Sequence, residues 1–223
     1  MNRPGHIRVD IVSDIVCPWC WLGHEYFNRA ALQSRHPVKL RWRPYMLDPG
    51  VPREGVPYRD YMKAKFGDAP TSRWKVVRRH LETAAQDVGI TFNFDGIITR
   101  PNTLNAHRLI RWAEGQGVAD SAAQSLFEAF FKDNHDIGDT AVLTDIAGHV
   151  GLDTNLVNEL LNRESDEEAV LEEIDVFRRL GVSGVPTFIY EGQLAVNGAQ
   201  SAETHLEVME KAASLSKTQR EPA

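Results

Sequence analysis

The only two cysteines of this 223-residue chain stand three apart, in Ser13-Asp14-Ile15-Val16-Cys17-Pro18-Trp19-Cys20-Trp21, and their neighbours dictate how the pair is held. Upstream, Ile7-Arg8-Val9-Asp10-Ile11-Val12 alternates β-branched and polar residues, which predicts a strand. Downstream, His24 to Arg35 contains no glycine and carries Tyr26, Phe27, Ala30, Ala31 and Leu32, which predicts a helix. The cysteines therefore occupy a strand-to-helix turn. Pro18 suits the first helical position, where its missing N–H costs nothing, and this makes Cys17 the N-cap. An N-cap side chain faces the free N–H groups two and three residues on, here those of Trp19 and Cys20, and feels the positive end of the helix dipole. Both effects favour a thiolate, so Cys17 is the predicted nucleophile and Cys20, one turn inside, the resolving thiol.

Residues three apart on a helix have Cβ atoms roughly 5–6 Å apart, slightly wider than the relaxed disulfide value of about 3.5–4.5 Å. A bond here is feasible, somewhat strained and easily reduced, as suits a cycling pair. Three plainer readings stand beside this one. A permanent staple across so short a loop restricts the unfolded chain little. A zinc site needs about four ligands, and neither a second C-x-x-C nor an H-x(3–5)-H pair is present. Two buried spectator cysteines are the third reading.

The net charge of −6 provides no electrostatic footprint for nucleic acid or an anionic membrane surface. Met1-Asn2-Arg3-Pro4-Gly5-His6 runs into the first strand without an apolar leader, and no run approaches the length of a membrane span. The expectation is a cytoplasmic protein with neither nucleic acid nor membrane as partner. In that compartment a C-x-x-C after a strand points to catalysis or redox sensing.

Further along, Val38-Lys39-Leu40-Arg41-Trp42-Arg43 alternates as a second strand, so the chain opens with a βαβ unit. The Cys17 turn then lies at the carboxyl end of the first strand, where open α/β sheets bind ligands. The Pro- and Gly-rich stretch Asp48 to Pro57 marks a boundary. Beyond it, helices are predicted over Tyr58 to Phe66 and Ser72 to Val88, the latter with Trp74, Val77, Leu81, Ala84, Ala85 and Val88 as its apolar stripe. Others begin near Asn102 and span about Ser121 to Phe131, and two more are capped by Asp139 and Asp153. Ser165-Asp166-Glu167-Glu168 has the form of a capping box, and Gly181 ends the helix it opens. Thr187 to Tyr190 and Gln193 to Asn197 flank a Glu191-Gly192 turn, a predicted hairpin. A last helix covers roughly Ala202 to Ser214, and the polar tail from Lys217 is expected to be disordered.

Taken with Gly184-Val185-Pro186-Thr187-Phe188, the C-x-x-C turn, helical insertion and terminal hairpin resemble the thioredoxin superfamily. More narrowly, the chain is similar to the DsbA-type branch with its FrnE-like members, near the 2-hydroxychromene-2-carboxylate isomerases and kappa-class glutathione transferases. Asp14 to Cys20, Asn102-Thr103 with Ala106-His107-Arg108, Asp136 to Asp139, Gly181 to Phe188 and Asn197 to Gln200 carry the resemblance. It implies an α/β fold, with residues 1–50 and 165–223 forming a thioredoxin-like domain and 51–164 an all-helical insertion. It also implies a cis Val185-Pro186 bond against the cysteines, and a Val185 backbone that pairs substrate as an added strand. Asn102 and His107 are placed near the groove by the same resemblance. Trp19, between the cysteines, and Pro18 are candidate substrate contacts, while Trp21 is assigned to the core. The Pro-Trp dipeptide lacks a histidine to stabilise a thiolate, which argues against an extremely oxidising pair.

The expected activity is thiol-disulfide exchange on a protein or small-molecule substrate. The cysteine pair is itself the redox couple, so no metal or organic cofactor is required, and glutathione is a candidate reductant. The rival is a glutathione-dependent isomerase or transferase, which does not need Cys20; a third class is a non-catalytic sensor or binding module. The composition allows a homodimer without requiring one.

Overall fold

The computed structural model describes residues 6–67, 69 and 73–218. The chain opens with β1 (Ile7–Ser13), α1 (Pro18–Gln33) and β2 (Val38–Pro44). Then follow β3 (Val56–Pro57), α2 (Tyr58–Phe66), α3 (Arg73–Val88), a short 3-10 turn at Phe94–Gly96, and β4 (Thr99–Arg100). Four helices come next: α4 (Leu104–Gly115), α5 (Ala119–Phe131), α6 (Thr140–His149) and α7 (Thr154–Leu161). The chain closes with α8 (Glu167–Arg179), β5 (Thr187–Tyr190), β6 (Leu194–Asn197) and α9 (Ala202–Thr218).

The main sheet has the order β2-β1-β5-β6. The first pair is parallel, from Ile7 opposite Val38 to Ser13 opposite Pro44, while β5 runs antiparallel to both its neighbours. Alternation along β1 sends Ile7, Val9 and Ile11 into the main core with Phe27 and Ala30 of α1 and Met209 and Ala212 of α9. Val12 faces the other way, against Tyr45 and Phe177 of α8. On that second face Asp10 accepts from Arg43 Nε at 2.7 Å and Arg41 Nη2 at 2.9 Å, and Arg43 Nη1 reaches Glu173 of α8 at 2.8 Å. Helices thus cover both faces of a βαβ…ββα sheet, the thioredoxin arrangement anticipated from the sequence.

Trp21 joins α1 to the helical segment. Its ring stacks on Phe127 and Phe131 of α5 with Phe92 edge-on, and only 2% of it is exposed. Arg108, fully buried, ties the segment together from α4: its guanidinium donates to the carbonyls of Leu160 at 2.5 Å, Arg163 at 2.7 Å and Ser165 at 2.7 Å. Leu160 lies in the last turn of α7 and Arg163 and Ser165 just past its end, so a cation there meets the carbonyls and the negative end of the helix.

The Asp139 and Asp153 caps form as read, accepting from Ala141 N–H and from Asn155 and Leu156 N–H. The Ser165 capping box does not. Asp166 precedes α8 in a left-handed conformation (φ 61°) without a capping bond, and the Ser165 carbonyl goes to Arg108. The helical segment also holds a two-residue antiparallel ladder, β3 with β4. Helix α9 runs through Thr218, so Lys217 and Thr218 belong to it, while the rest of the expected tail, Ser72 and the first five residues lie outside the described residues.

On α9, His205 is buried with its Nδ1 in a short hydrogen bond to the Tyr190 hydroxyl of β5, and burial pushes its imidazole down to about 4 from an ordinary 6.5. The unfolded chain therefore binds a proton that the folded chain refuses between those values. The stability this histidine confers is complete above about pH 6.5 and is lost as pH falls toward 4, by up to about 3 kcal/mol. Denaturant titrations at stepped pH check this: the stability gap between the protein and a His205→Gln variant is expected to shrink over that window. A gap independent of pH contradicts it.

Candidate active site

Cys17 ends the turn between β1 and α1 and Cys20 lies in the first turn of α1, both as free thiols. The turn is closed by Cys17 N–H donating to the Asp14 carbonyl at 3.0 Å and Cys20 N–H to the Cys17 carbonyl at 2.9 Å. Cys17 is the N-cap, with extended backbone, and Pro18 opens the helix. The Cys17 side chain, however, takes no bond from the first-turn N–H groups; its thiol donates to the Val185 carbonyl at 3.7 Å. A protonated sulfur seeks an acceptor, and this carbonyl is the one in reach. Cys17 keeps 5% of its surface exposed and Cys20 none. Burial, with the Cys17 sulfur beside it, pushes the Cys20 thiol well above its ordinary range.

The Val185-Pro186 bond is cis. Pro186 is buried, its carbonyl accepting from Gly198 N–H at 2.8 Å, and its ring lies so close to α1 that a Cβ on Gly23 would sit 2.9 Å from it. This close approach explains a glycine two turns into a helix that otherwise avoids it.

Asp14 is fully buried under the turn. Its Oδ2 accepts from Leu47 N–H at 2.8 Å, and its Oδ1 lies 3.5 Å from His107 Nε2. Burial alone opposes ionisation of this carboxyl, but the contact with His107, the Arg100 charge and the Leu47 N–H together hold it below the usual carboxylate range. His107, on α4, donates from Nε2 to the Tyr45 carbonyl at 2.9 Å. Asn102 donates to the Val51 carbonyl at 2.7 Å and accepts from Leu104 N–H at 2.9 Å. Both residues thus engage backbone groups of the loop after β2 and the start of α4, and neither lines the cavity at Cys17.

That cavity, about 390 Å³, is bounded on the thioredoxin side by Cys17, Pro18, Trp19 and Val185. The opposite wall comes from α2, α3 and the 3-10 turn: Tyr58, Tyr61, Lys65, Phe66, Arg73, Trp74 and Phe94, with Arg100 at the back. Lys65 donates to Asp48 Oδ2 at 2.6 Å and to the Tyr61 hydroxyl at 2.7 Å, while Arg100 reaches Asp48 Oδ2 at 3.4 Å. Sequence reading missed this wall. Trp74 sits in the apolar stripe of its helix and reads as core, and Tyr61, Lys65 and Arg100 carry no motif of their own. Among the described residues no group of three or more His, Cys, Asp or Glu side chains is arranged to hold a metal ion. No helix among them is long and apolar enough to cross a membrane.

Comparison with known proteins agrees with the geometry. Residues 8–210 match the family described as DSBA-like thioredoxin domain. The uncharacterized protein YwbO of Bacillus subtilis (strain 168) is 26% identical over 209 residues, covering 93% of this chain and 96% of that protein. The crystal structure of a probable DsbA oxidoreductase from Streptomyces coelicolor superposes with a TM-score of 0.85 at 27% identity, over 98% of this chain and 93% of that one. Cytosolic disulfide reductase DsbM from Pseudomonas aeruginosa, solved with GSH, shares the fold at a TM-score of 0.63 and 18% identity, over 95% of this chain and 98% of that one. With a family match that runs from the first strand into the last helix, the chain belongs to the DSBA-like thioredoxin domain family.

Proposed function

We propose that the protein is a thiol-disulfide oxidoreductase in which Cys17 attacks and Cys20 resolves. The observation that carries this reading is the division of labour between the two sulfurs: one lines an open cavity, while the other is sealed behind it with a thiol that burial keeps protonated. In the reductive direction, the Cys17 thiolate attacks a substrate disulfide, breaks its S–S bond and expels one thiolate. Cys20 then gives up its proton, attacks the Cys17 sulfur, forms the intramolecular disulfide and expels the second thiolate. Loss of the Cys17 proton also breaks the bond to Val185 O, which frees that carbonyl for an N–H of the bound substrate. Trp19 and Pro18 flank the approach. On this reading no cofactor takes part, glutathione is the candidate electron donor, and the compartment is the cytoplasm, as for the Pseudomonas reductase.

The test is a redox titration. Equilibrated in glutathione buffers of stepped ratio and then alkylated, the protein is expected to lose both thiols together in one two-electron transition. The midpoint, set against the cytosolic glutathione poise, assigns the direction of electron flow. A glutathione adduct on Cys17 with Cys20 free at every ratio contradicts the reading and favours the glutathione-dependent isomerase or transferase.

A further inference from the structure

The cavity wall opposite Cys17 is specific in two ways. The cavity as a whole presents seven rings, Trp19 on the Cys17 side and Phe131 among them with Tyr58, Tyr61, Phe66, Trp74 and Phe94, so a bound body is met largely by flat apolar surface. It also carries three cations, Lys65, Arg73 and Arg100, and among the described residues no carboxylate, in a chain whose net charge is −6. Asp48, which Lys65 and Arg100 contact, lies outside the lining, as does Asp14. Asp48 does not exhaust the cations beside it: a single oxygen, Oδ2, accepts from Tyr61, Lys65 and Arg100. Lys65 retains one N–H beyond its bonds to Asp48 and Tyr61, and Arg100 retains others beyond those to Asp48 and the Pro101 carbonyl. Arg100 is 4% exposed, so its unspent donors sit in a medium that strengthens any ion pair they make. The volume of about 390 Å³ falls in the range of small-molecule sites, roughly 300–1,000 Å³.

We propose, resting on the reading of Cys17 and Cys20 as an exchanging pair, that the substrate is a low-molecular-weight disulfide whose flat apolar body carries a carboxylate. The rings take the body, the Lys65 and Arg100 donors take the carboxylate, and the disulfide is left against the Cys17 sulfur. Two electrons pass from the dithiol to the substrate S–S bond. Two aryl thiolates leave, the Cys17 and Cys20 protons go to water, and a dithiol reductant restores the pair.

The experiment compares three disulfides under steady turnover with dithiothreitol: dithiobis(benzoic acid), its bis-amide, and dithiodipropionic acid. Each kcat/KM is divided by the uncatalysed rate of the same disulfide with dithiothreitol, which removes differences in leaving group. The aryl acid is expected to exceed both the aryl amide and the aliphatic acid by about tenfold or more, the size of one charge-assisted hydrogen bond in a sheltered site. Its advantage over the amide is expected to fall toward unity in Lys65→Gln and, in the unaltered protein, as added salt screens the cations. If acid and amide are turned over equally, the substrate class is wrong and the exchange reading stands. If none of the three is turned over, both are wrong.

Discussion

Replacing Cys17 by serine is expected to abolish disulfide exchange, lowering kcat/KM by roughly three orders of magnitude or more. A hydroxyl at this position fits the space the thiol occupies, and its O–H still has the Val185 carbonyl as acceptor, so the fold has no reason to change. What is lost is the attacking atom, because a serine without an adjacent base is not ionised near neutrality and does not open disulfides. Cys20 does not substitute for it, being wholly buried and holding its proton more tightly than an ordinary thiol. Steady-state turnover of a small disulfide, with a thermal melt to confirm folding, measures the effect. Retention of a tenth or more of the activity by Cys17→Ser contradicts the assignment of the nucleophile.

Cys20→Ser is expected to separate the two halves of the reaction. Attack by Cys17 needs nothing from residue 20, so the first thiolate is released at close to the normal rate, one per protein molecule. Resolution then stops, since no second sulfur stands within the turn and the Cys17 adduct faces the cavity rather than another thiol. Turnover without excess external thiol falls by about the same factor as in Cys17→Ser, yet the burst survives. A stopped-flow trace separates the two variants: burst without turnover for Cys20→Ser, neither for Cys17→Ser. Full turnover by Cys20→Ser would favour a reaction that uses one cysteine, as the isomerase reading requires.

The parts of this protein legible in its sequence are those whose chemistry is local. The alternation of Ile7 to Val12 and the proline after Cys17 fix the strand, the turn and the helix within a dozen residues. Asp139 and Asp153 cap because an aspartate accepts from N–H groups two or three positions on, whatever else surrounds it. Ser165 obeys the same pattern and fails because the helix opens one residue later, after Asp166 in a left-handed conformation, which removes Ser165 from the N-cap position. Arg108, distant in sequence, holds the Ser165 carbonyl there. Asn102 and His107 stand out as motif residues, but only the folded chain reveals that their polar atoms hold Val51, Leu104 and Tyr45 backbone groups. The cavity wall was illegible for a related reason. Tyr61, Trp74 and Arg100 reach it from three separate elements, and an aromatic residue on a helix looks the same in sequence whether it faces core or cavity.

The central claim, that Cys17 is the atom through which substrate sulfur passes, is tested most directly by peptide mapping of a trapped complex. Cys20→Ser is mixed with one equivalent of a disulfide substrate, quenched in acid without reductant, digested and analysed by mass spectrometry. The account predicts a mixed disulfide on the peptide containing Cys17 at near-stoichiometric yield, released by dithiothreitol. A Cys17 peptide recovered unmodified, from protein that turns over the same disulfide when Cys20 is present, contradicts it.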